Sequence, residues 1–580
     1  MRTCKQFVFV LACLVGVVLC LPDSAAYAAL TPGDIERLNQ EGERIQRERM
    51  LQQQQDAERI LRSRKPAAKI DLPAPEMPKG TGDVCLDIKT VVLTGADNMK
   101  PAFKEELIKK YSNRCLGVSE IQSLMGEVTA HYINRGYATT RAYLPTQDLT
   151  KGTLTIDVVE GKAEKIQLND GEKKSIYIPG AFPGVEGGLL NLRDIEQGLD
   201  QINRLASNNA RMDIIPGSAV GQSVIVVNNE PAKRWHVNLS GDNYGTSTTG
   251  RYQTGVTTSF DNLLGLNEFY TINLKKTLPL NDSSKQSSSH SLLFSIPYGY
   301  NTLTAGFSDS DYDSRLLTPS NLSVRLTGTN RSWYVTLDRV LFRNRDTKVK
   351  GSATLTAKES NNYVEGSRLA ISSRPLTVVD LGLTCSTVLG SGSATFGAGY
   401  SRGLTWLGAQ EDQSGVPDSA PRAQFDKLTA SASYYYPFRY AQEQMAFSTS
   451  LTAQYALDTL YGSEQITVGG IYSVRGFYNE TLANDTGAVL RNELSLTRQL
   501  SPVTPNGPPL SFRPYIALDA GAVGSDNNNT PTGVLVGGAV GFSMTMGQAS
   551  LDVYTGHPLF APDDVDGDGW NSFGRVSLNF

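Results

Sequence analysis

Short runs in which apolar and polar residues alternate recur throughout the C-terminal part of this chain. In one of them Trp235, Val237 and Leu239 alternate with polar neighbours, and Ile272 and Leu274 belong to another. Successive side chains of a β-strand point to opposite faces, so each run predicts a strand with one apolar and one polar face. A membrane-embedded barrel with a wet lumen needs such strands. A secreted β-sandwich also alternates, and the pattern by itself leaves both architectures open.

Hydropathy and the last residues favour the barrel. The mean hydropathy is -0.26, and after residue 28 no apolar run approaches the ~20 residues of a membrane-spanning helix. A membrane protein without such helices crosses as a closed barrel. The phrase FGRVSLNF places Val576, Leu578 and Phe580 on one face, as in the C-terminal strand of bacterial outer-membrane proteins. From residue 233 to residue 580, alternation and turn signals predict about 16 antiparallel strands.

Residues 1–28 have the pattern of a secretory signal peptide. Basic residues come first, an apolar core follows, and Ala26 and Ala28 are the small residues that precede the cleavage site. A lipoprotein signal that uses Cys13 is the alternative, although the apolar residues continue past that cysteine. The mature chain is therefore expected outside the cytoplasm.

Residues 29–64 are predicted to form a polar α-helix. Thr31 is suited to cap it, Pro32 to its first turn and Asp34 to the positive end of its dipole. Apolar residues are too sparse for a core helix, which leaves two interpretations, a solvated arm or a helix inside a polar cavity. Residues 65–82 contain four prolines and are predicted to be an extended linker.

Two small α+β units are predicted between the linker and the barrel, in residues 83–161 and 162–232. The first is expected to contain a strand at 86–93 and helices at 101–111 and 118–134. The second repeats this order more loosely, and the two end in the similar phrases LTIDVVEG and VIVVNNEP. A repeat with strand edges favours docking modules that bind an extended peptide by adding a strand.

Three cysteines follow the signal peptide. Cys85 and Cys115 lie in one small predicted unit, and an oxidising compartment would allow them to form a disulfide. Two buried free thiols are the alternative. Cys385 lies in an apolar stretch and is expected to be an inert packing residue.

The sequence favours a protein that is not an enzyme and has no cofactor. The histidines form no HExxH pair, and neither Gly-x-Ser-x-Gly nor a phosphate-binding Gly-Lys-Ser/Thr phrase occurs. No metal site is expected. The net charge of -4 argues against nucleic acid as a partner.

An acidic stretch near the C-terminus imitates the start of a calcium-binding loop. It contains Asp564, Asp566 and Asp568, followed by Gly569. The bidentate glutamate that would complete the loop is missing, because Arg575 stands at its position. We therefore expect an acidic surface loop.

Three phrases carry a specific resemblance. They are GDNYGTSTTGRYQTGVTTSFDNLLGLNE at the start of the predicted barrel, VGGIYSVRGF at 468–477 and RPYIALDAG at 513–521. Together with the signal, helix, linker and repeated units, they resemble the two-partner secretion transporters. This TpsB family, of the haemolysin and filamentous-haemagglutinin secretion and activation type, belongs to the outer-membrane insertase and translocase superfamily. The resemblance covers essentially the whole mature chain.

The resemblance implies a location, a loop and a set of partners. The two units would be periplasmic POTRA domains, and the N-terminal helix would plug a barrel in the bacterial outer membrane. The loop with Val474, Arg475, Gly476 and Phe477 would fold back into the lumen. The passenger would be one large exoprotein, such as a haemolysin, an adhesin or a contact-dependent toxin. Outer-membrane lipid and, during biogenesis, the barrel-assembly machinery would be further partners.

Strand alternation suggests which wall residues could meet Arg475. Ile516 and Leu518 share the predicted lipid face, so Asp519 points inward, and Glu493 points inward on the preceding strand by the same reasoning. A charge inside a barrel needs water or a carboxylate. Asp519 and Glu493 are therefore candidate partners. The alternative is that Arg475 is an exposed loop charge.

Three other functions remain to be weighed. An outer-membrane assembly insertase would share the Arg475 motif but usually carries more than two repeats. A general porin would lack the repeated units. A surface adhesin would leave those units without a task.

Overall fold

The computed structural model describes residues 30–62 and 85–580. Within the second range the exceptions are 281, 283, 319, 416, 418, 503–506, 525–531, 564, 566 and 568. The predicted signal peptide (1–28) and proline-rich linker (65–82) thus lie outside the described residues, and so do Asp564, Asp566 and Asp568.

The described chain begins with a long helix, α1 (Pro32–Arg62), of 31 residues. Its first turn is closed by a reciprocal pair of hydrogen bonds. The Thr31 N–H donates to the Asp34 carboxylate at 3.0 Å, and the Asp34 N–H donates to Thr31 Oγ1 at 3.1 Å. These bonds satisfy two backbone donors that a helix start leaves open.

The first α+β unit packs two helices on a small sheet. Its elements are β1 (Leu86–Ile88), β2 (Thr90–Thr94), α2 (Pro101–Tyr111), β3 (Arg114–Leu116), α3 (Val118–Asn134), β4 (Arg141–Tyr143) and β5 (Thr153–Val159). The sheet order is β2-β5-β4, and β1 pairs with β3. Both helices have the predicted bounds. The strand predicted at 86–93 is instead two strands, because the N–H groups of Lys89 and Thr90 both bond to the Gly152 carbonyl, at 2.8 and 3.1 Å.

A disulfide joins Cys85 and Cys115, whose Cα atoms are 5.4 Å apart and whose separation in sequence is 30 residues. A crosslink stabilises a fold mainly by restricting the unfolded chain, and a loop of this size corresponds to about 3 to 4 kcal/mol. We expect a Cys85→Ser/Cys115→Ser variant to lose that much stability in the first unit. Hydrogen exchange of the α3 amides in the full chain measures it, with Cys385→Ser as the control. Unchanged exchange would show that the core around Leu124 and Leu154 holds the unit without the crosslink.

The second α+β unit follows directly. Its elements are β6 (Lys162–Asn169), α4 (Ile178–Ala181), α5 (Leu192–Asn203), β7 (Arg211–Pro216) and β8 (Gln222–Asn228). The sheet order is β6-β8-β7. Helix α5 packs on this sheet through Ile195, Leu199 and Ile202, which are at most 2 % exposed.

The remaining described residues form a closed barrel of sixteen antiparallel strands, as predicted. The first eight barrel strands are β9 (Trp235–Asp242), β10 (Gln253–Asp261), β11 (Phe269–Thr277), β12 (Lys285–Tyr298), β13 (Asn301–Leu317), β14 (Ser323–Arg343), β15 (Thr347–Val364) and β17 (Arg374–Leu389). The other eight are β18 (Gly392–Leu404), β19 (Asp426–Tyr440), β20 (Glu443–Ala456), β23 (Gly487–Leu500), β24 (Leu510–Val523), β25 (Gly533–Met546), β26 (Ala549–Phe560) and β27 (Asn571–Asn579). Three short strands belong to its loops, namely β16 (Ser367–Arg368), β21 (Ile466–Gly469) and β22 (Thr481–Asn484).

The two faces of the barrel wall differ as alternation requires. On β11, Ile272 and Leu274 point outward and are 39 % and 44 % exposed, whereas the inward-pointing Thr271 and Lys275 are 2 % and 6 % exposed. The apolar face therefore lies towards lipid and the polar face towards the lumen. Among the described residues, no helix is both long and apolar enough to cross a membrane.

The height of the wall is uneven. Strand β14 has 21 residues, but β9 and β27, which meet at the closing seam, have 8 and 9. The seam register runs from Arg575 opposite Asp242 to Asn579 opposite Asn238. Phe580 extends it, because its N–H donates to the Val237 carbonyl at 2.8 Å and its carbonyl accepts from the Val237 N–H at 3.1 Å.

Candidate functional site

The loop between β20 and β23 folds into the barrel. Its strands β21 and β22 form a small hairpin, and the motif residues Val474 and Phe477 are fully buried in an apolar cluster with Val468 and Leu535. Burial of these side chains anchors the loop against the inner wall of β23 to β25.

Two glycines allow the motif to reach the wall so closely. Gly476 has a φ of +113°, a conformation that side chains other than glycine rarely adopt, and a Cβ there would lie 2.6 Å from the His557 carbonyl oxygen. On the wall, a Cβ at Gly537 would lie 1.9 Å from the Arg475 carbonyl oxygen. The backbone of the loop thus lies directly on the backbone of β25 and β26.

Arg475 is 6 % exposed and is held by two carboxylates. Its Nε lies 2.7 Å from Asp519 Oδ2 and its Nη2 lies 2.9 Å from Asp519 Oδ1, a bidentate pair. Its Nη1 donates to Glu493 Oε2 at 2.7 Å, and its backbone N–H donates to Asp519 Oδ2 at 3.1 Å. The structure thus brings together the three charged residues that strand alternation had grouped, and Arg475 is not exposed.

Two wall arginines also contact these carboxylates, so that three arginines share two acidic groups. Arg491 Nε lies 3.7 Å from Asp519 Oδ2, and Arg513 pairs with Glu493. Alternation places both arginines inside the barrel. The contribution of Gly537 is not evident from alternation; the phrase VGGAVGF, rich in small residues on a wall strand, is the signal that could have indicated it.

Helix α1 also lies inside the barrel, which decides between its two interpretations. One stripe of its surface faces the wall of β13 to β15 and is buried: Leu38, Gly42, Ile45, Gln46 and Arg49. These positions recur with the helical spacing. Leu38 and Ile45 pack in an apolar cluster with Tyr312 and Leu326.

Hydrogen bonds from both neutral and charged side chains join α1 to the barrel. Gln46 Nε2 donates to Asn362 Oδ1 at 2.7 Å, Arg49 Nη2 to Thr249 Oγ1 at 2.9 Å, and Gln52 Nε2 to Gln253 Oε1 at 2.8 Å. An ion pair also crosses from the helix to the wall, between Glu43 and Arg374 at 3.3 Å. Arg44 pairs within the helix, with Glu41 and Glu48.

The second α+β unit is fixed to one end of the barrel, here called the unit-facing end. Arg343 at the end of β14 is buried and its guanidinium pairs with Glu196 and Asp200 of α5. Tyr300 Oη donates to Asp194 at 2.6 Å, and Gln201 Nε2 donates to the Gly299 carbonyl at 3.0 Å. The unit also contacts the β10–β11 turn, where the Ser207 N–H donates to Asp261 at 2.9 Å and the Tyr177 N–H donates to Asn267 at 2.9 Å. It therefore lies on the turns of β10 to β15, beside the seam side of this end where β9 meets β27.

A cavity of about 640 Å³ opens on that seam side. It is bounded by Ala206 and Lys233 next to the second unit and by inward residues of β9, β10 and β25 to β27. Nine of its nineteen lining residues have hydroxyl or amide side chains, including Asn238, Thr257 and Ser577. Four others are charged, namely Lys233, Asp261, Asp552 and Arg575. Within the part of the chain that the structure describes, no three His, Cys, Asp or Glu side chains come together to hold a metal ion.

Comparison with known proteins agrees with this architecture. Residues 221–544 match the family of haemolysin secretion/activation proteins ShlB/FhaC/HecB. Residues 86–161 match the ShlB-type POTRA domain, and residues 162–216 match a POTRA domain.

Individual relatives match nearly end to end. The outer membrane transporter CdiB of Escherichia coli O6:K15:H31 is 34 % identical over 582 residues, covering 100 % of this chain and 95 % of the relative. The hemolysin transporter protein ShlB of Serratia marcescens is 31 % identical, covering 92 % and 91 %. The solved structure of CdiB from Escherichia coli superposes with a TM-score of 0.82 at 32 % identity and covers 95 % of this chain and 99 % of that one. A sixteen-strand barrel with an inward loop, a lumenal helix and two POTRA units thus places this chain in the haemolysin secretion/activation family ShlB/FhaC/HecB, the two-partner secretion transporters.

Proposed function

We propose that this chain exports one large secreted exoprotein across the bacterial outer membrane. The observation that carries the proposal is a closed barrel whose polar lumen is occupied by parts of its own chain, joined to two POTRA units at one end. The family consists of transporters, and relatives are named for the transport of haemolysin. A haemolysin, an adhesin or a contact-dependent toxin is the passenger class that we propose.

In this proposal the passenger arrives unfolded in the periplasm. Strand edges of the POTRA sheets bind it by adding a strand. It then enters on the seam side through the cavity beside Ala206 and Lys233, because this cavity lies between the second unit and the inner wall of the barrel. The hydroxyl and amide groups on its wall suit this task, since they offer hydrogen bonds to any backbone, and charges of both signs lie beside them.

Passage requires a change in the lumen. Helix α1 occupies the space beside β13 to β15, so it has to leave before a polypeptide can thread. The proline-rich linker (65–82) would supply the slack for this movement. The loop around Arg475 stays against the wall and narrows the path on the side of β23 to β26.

Secretion of the partner exoprotein tests the export function directly. The exoprotein and this chain are expressed together in a host that lacks both genes. We expect the exoprotein to reach the medium with the full chain. It should remain in the periplasm when residues 84–229 are deleted and the barrel is equally abundant. Secretion that survives this deletion would contradict recognition by the POTRA units.

The route can be tested with a passenger stalled by a folded C-terminal domain. A photo-crosslinking residue at Thr257, which lines the cavity, should capture the passenger, whereas the same residue at Thr258 should not, because its side chain points to the opposite face of β10. Equal capture at both positions, or at neither, would contradict a route through the lumen.

A further inference from the structure

Helix α1 contains a glycine in its buried stripe, and that position needs an explanation. Glycine in a helix interior costs roughly 1 kcal/mol relative to alanine. Gly42 lies in the middle of α1, is buried, and faces Asn362 of β15. A Cβ built there would lie 2.9 Å from Asn362 Nδ2, 3.3 Å from its Cγ and 3.5 Å from Tyr312 Oη. The helix can approach the wall this closely only because residue 42 has no side chain.

Asn362 cannot easily move away from an added methyl group. Its side chain is fully buried, and its Oδ1 accepts hydrogen bonds from Gln46 Nε2 at 2.7 Å and from Tyr312 Oη at 2.8 Å. Behind it on β14 stands Gly328, where a Cβ would lie 2.6 Å from Asn362 Oδ1 and 2.3 Å from the Tyr312 ring. The space that a displaced Asn362 would need is thus already filled by Tyr312.

The same contact fixes how far the helix is inserted. A shift by one helical turn, about 5.4 Å, would bring Leu38 or Gln46 opposite Asn362. Either residue would place its Cβ against Asn362, where the wall leaves no room for one. If α1 slid along the polar wall, Arg49 and Gln52 could form hydrogen bonds with neighbouring hydroxyl or amide groups. The contact between Gly42 and Asn362, in contrast, forms at only one depth of the helix.

We propose that Gly42 and Asn362 form the seat that holds α1 at the depth where it closes the pore. The proposal rests on the export function to the extent that α1 acts as the plug. Gly42 is a positioning residue, because the absence of a side chain there lets Asn362 of the wall contact the helix backbone.

The test compares substitutions of two glycines in the same helix. Gly42→Ala and Gly42→Leu should unseat α1, and the open fraction of single channels in planar bilayers should rise about tenfold, as an overpacking cost in the usual range would produce. Gly33→Ala is the matched control, since only Thr31 Oγ1, at 3.9 Å, lies near a Cβ at that position. It adds the same methyl group to the first turn of α1 without touching the wall.

A second substitution separates the seat from a general defect. Asn362→Ala by itself should also raise the open fraction, because it removes the oxygen that accepts from Gln46 and Tyr312. Asn361→Ala is its control, since that side chain points to the opposite face of β15. Gly42→Leu channels as closed as Gly33→Ala channels, or Asn362→Ala channels as closed as Asn361→Ala channels, would overturn the proposal. Conductance is measured without a passenger, so these results stand apart from any failure of the export function, which secretion assays report.

Discussion

Arg475→Ala should abolish most secretion of the exoprotein while the barrel remains in the membrane. The substitution removes the guanidinium that holds Asp519, which is fully buried, and Glu493. Leaving a buried carboxylate without its partner costs about 3 to 5 kcal/mol. The cost here is smaller, because Arg491, 3.7 Å from Asp519, and Arg513, paired with Glu493, remain. The backbone N–H of residue 475 can still donate to Asp519 in this variant, and we expect the loop to loosen at the wall because the three side-chain bonds to Asp519 and Glu493 are lost. Secretion into the medium, normalised to barrel abundance, is the measurement, and we expect a loss of at least about tenfold.

Substitution of a second barrel arginine tests whether the loss of secretion is specific to Arg475 or follows from the loss of any positive charge in the barrel. Arg498 lies on β23, pairs with Glu443, and has a side chain that is 53 % exposed, so Arg498→Ala should leave secretion unchanged. Arg475→Lys should recover only part of the activity, since an ammonium cannot make the bidentate pair with Asp519. Normal secretion with Arg475→Ala would show that the apolar cluster around Phe477 holds the loop without the ion pairs.

Arg343→Ala should release the second POTRA unit from its fixed position on the barrel. Arg343 is the buried cation between Glu196 and Asp200, and Arg343 Nη1 also donates to Gln197 Oε1 at 3.1 Å. Its removal leaves Glu196 and Asp200 in a desolvated contact, at a cost of about 3 to 5 kcal/mol before partial relief. Arg193 Nη1, 2.6 Å from Glu196 Oε1, and Lys348 Nζ, 3.5 Å from Asp200, provide that relief.

Spin labels can report this release. With Cys385→Ser as background, labels at Val220, which is 86 % exposed, and at Gln442 in the β19–β20 turn should give one narrow distance distribution in the unsubstituted protein. Arg343→Ala should broaden it. Lys350→Ala is the control, because Lys350 pairs with Asp338 in the same hairpin and not with the second unit. A distribution that stays narrow would assign the docking to Leu205, Phe269 and Leu293, which form an apolar cluster at this contact.

The features that could be predicted from sequence are those set by local periodicity. The helices Pro101–Tyr111 and Val118–Asn134 have the predicted bounds because apolar spacing and the turn at Gly136 act within a few residues. Alternation was enough to place Asp519 and Glu493 inside the barrel, because the face of a strand residue depends only on parity.

The features that could not be predicted depend on contacts between distant parts of the chain. A polar helix gives no sign of its location, and α1 is placed by partners such as Asn362, which is 316 residues from Gln46. Gly537 and Gly42 appear unremarkable in sequence, because their importance lies in the atoms opposite them. The short helix α4 was not predicted, since four residues are too few for a periodic pattern.

The uneven height of the barrel wall affects the direction in which an exported chain leaves the pore. On β14 the outward apolar residues begin at Trp333, and the ten residues before it carry polar partners such as Arg331 with Asp309 and Arg325 with Asp313. At about 3.3 Å per residue, that side rises roughly 30 Å along the strand beyond the lipid band. Strand β9 continues for only three residues past Leu239. The extracellular rim is therefore high at β14 and low at the seam. We expect an emerging polypeptide to leave over the low side and to begin folding close to the membrane surface there.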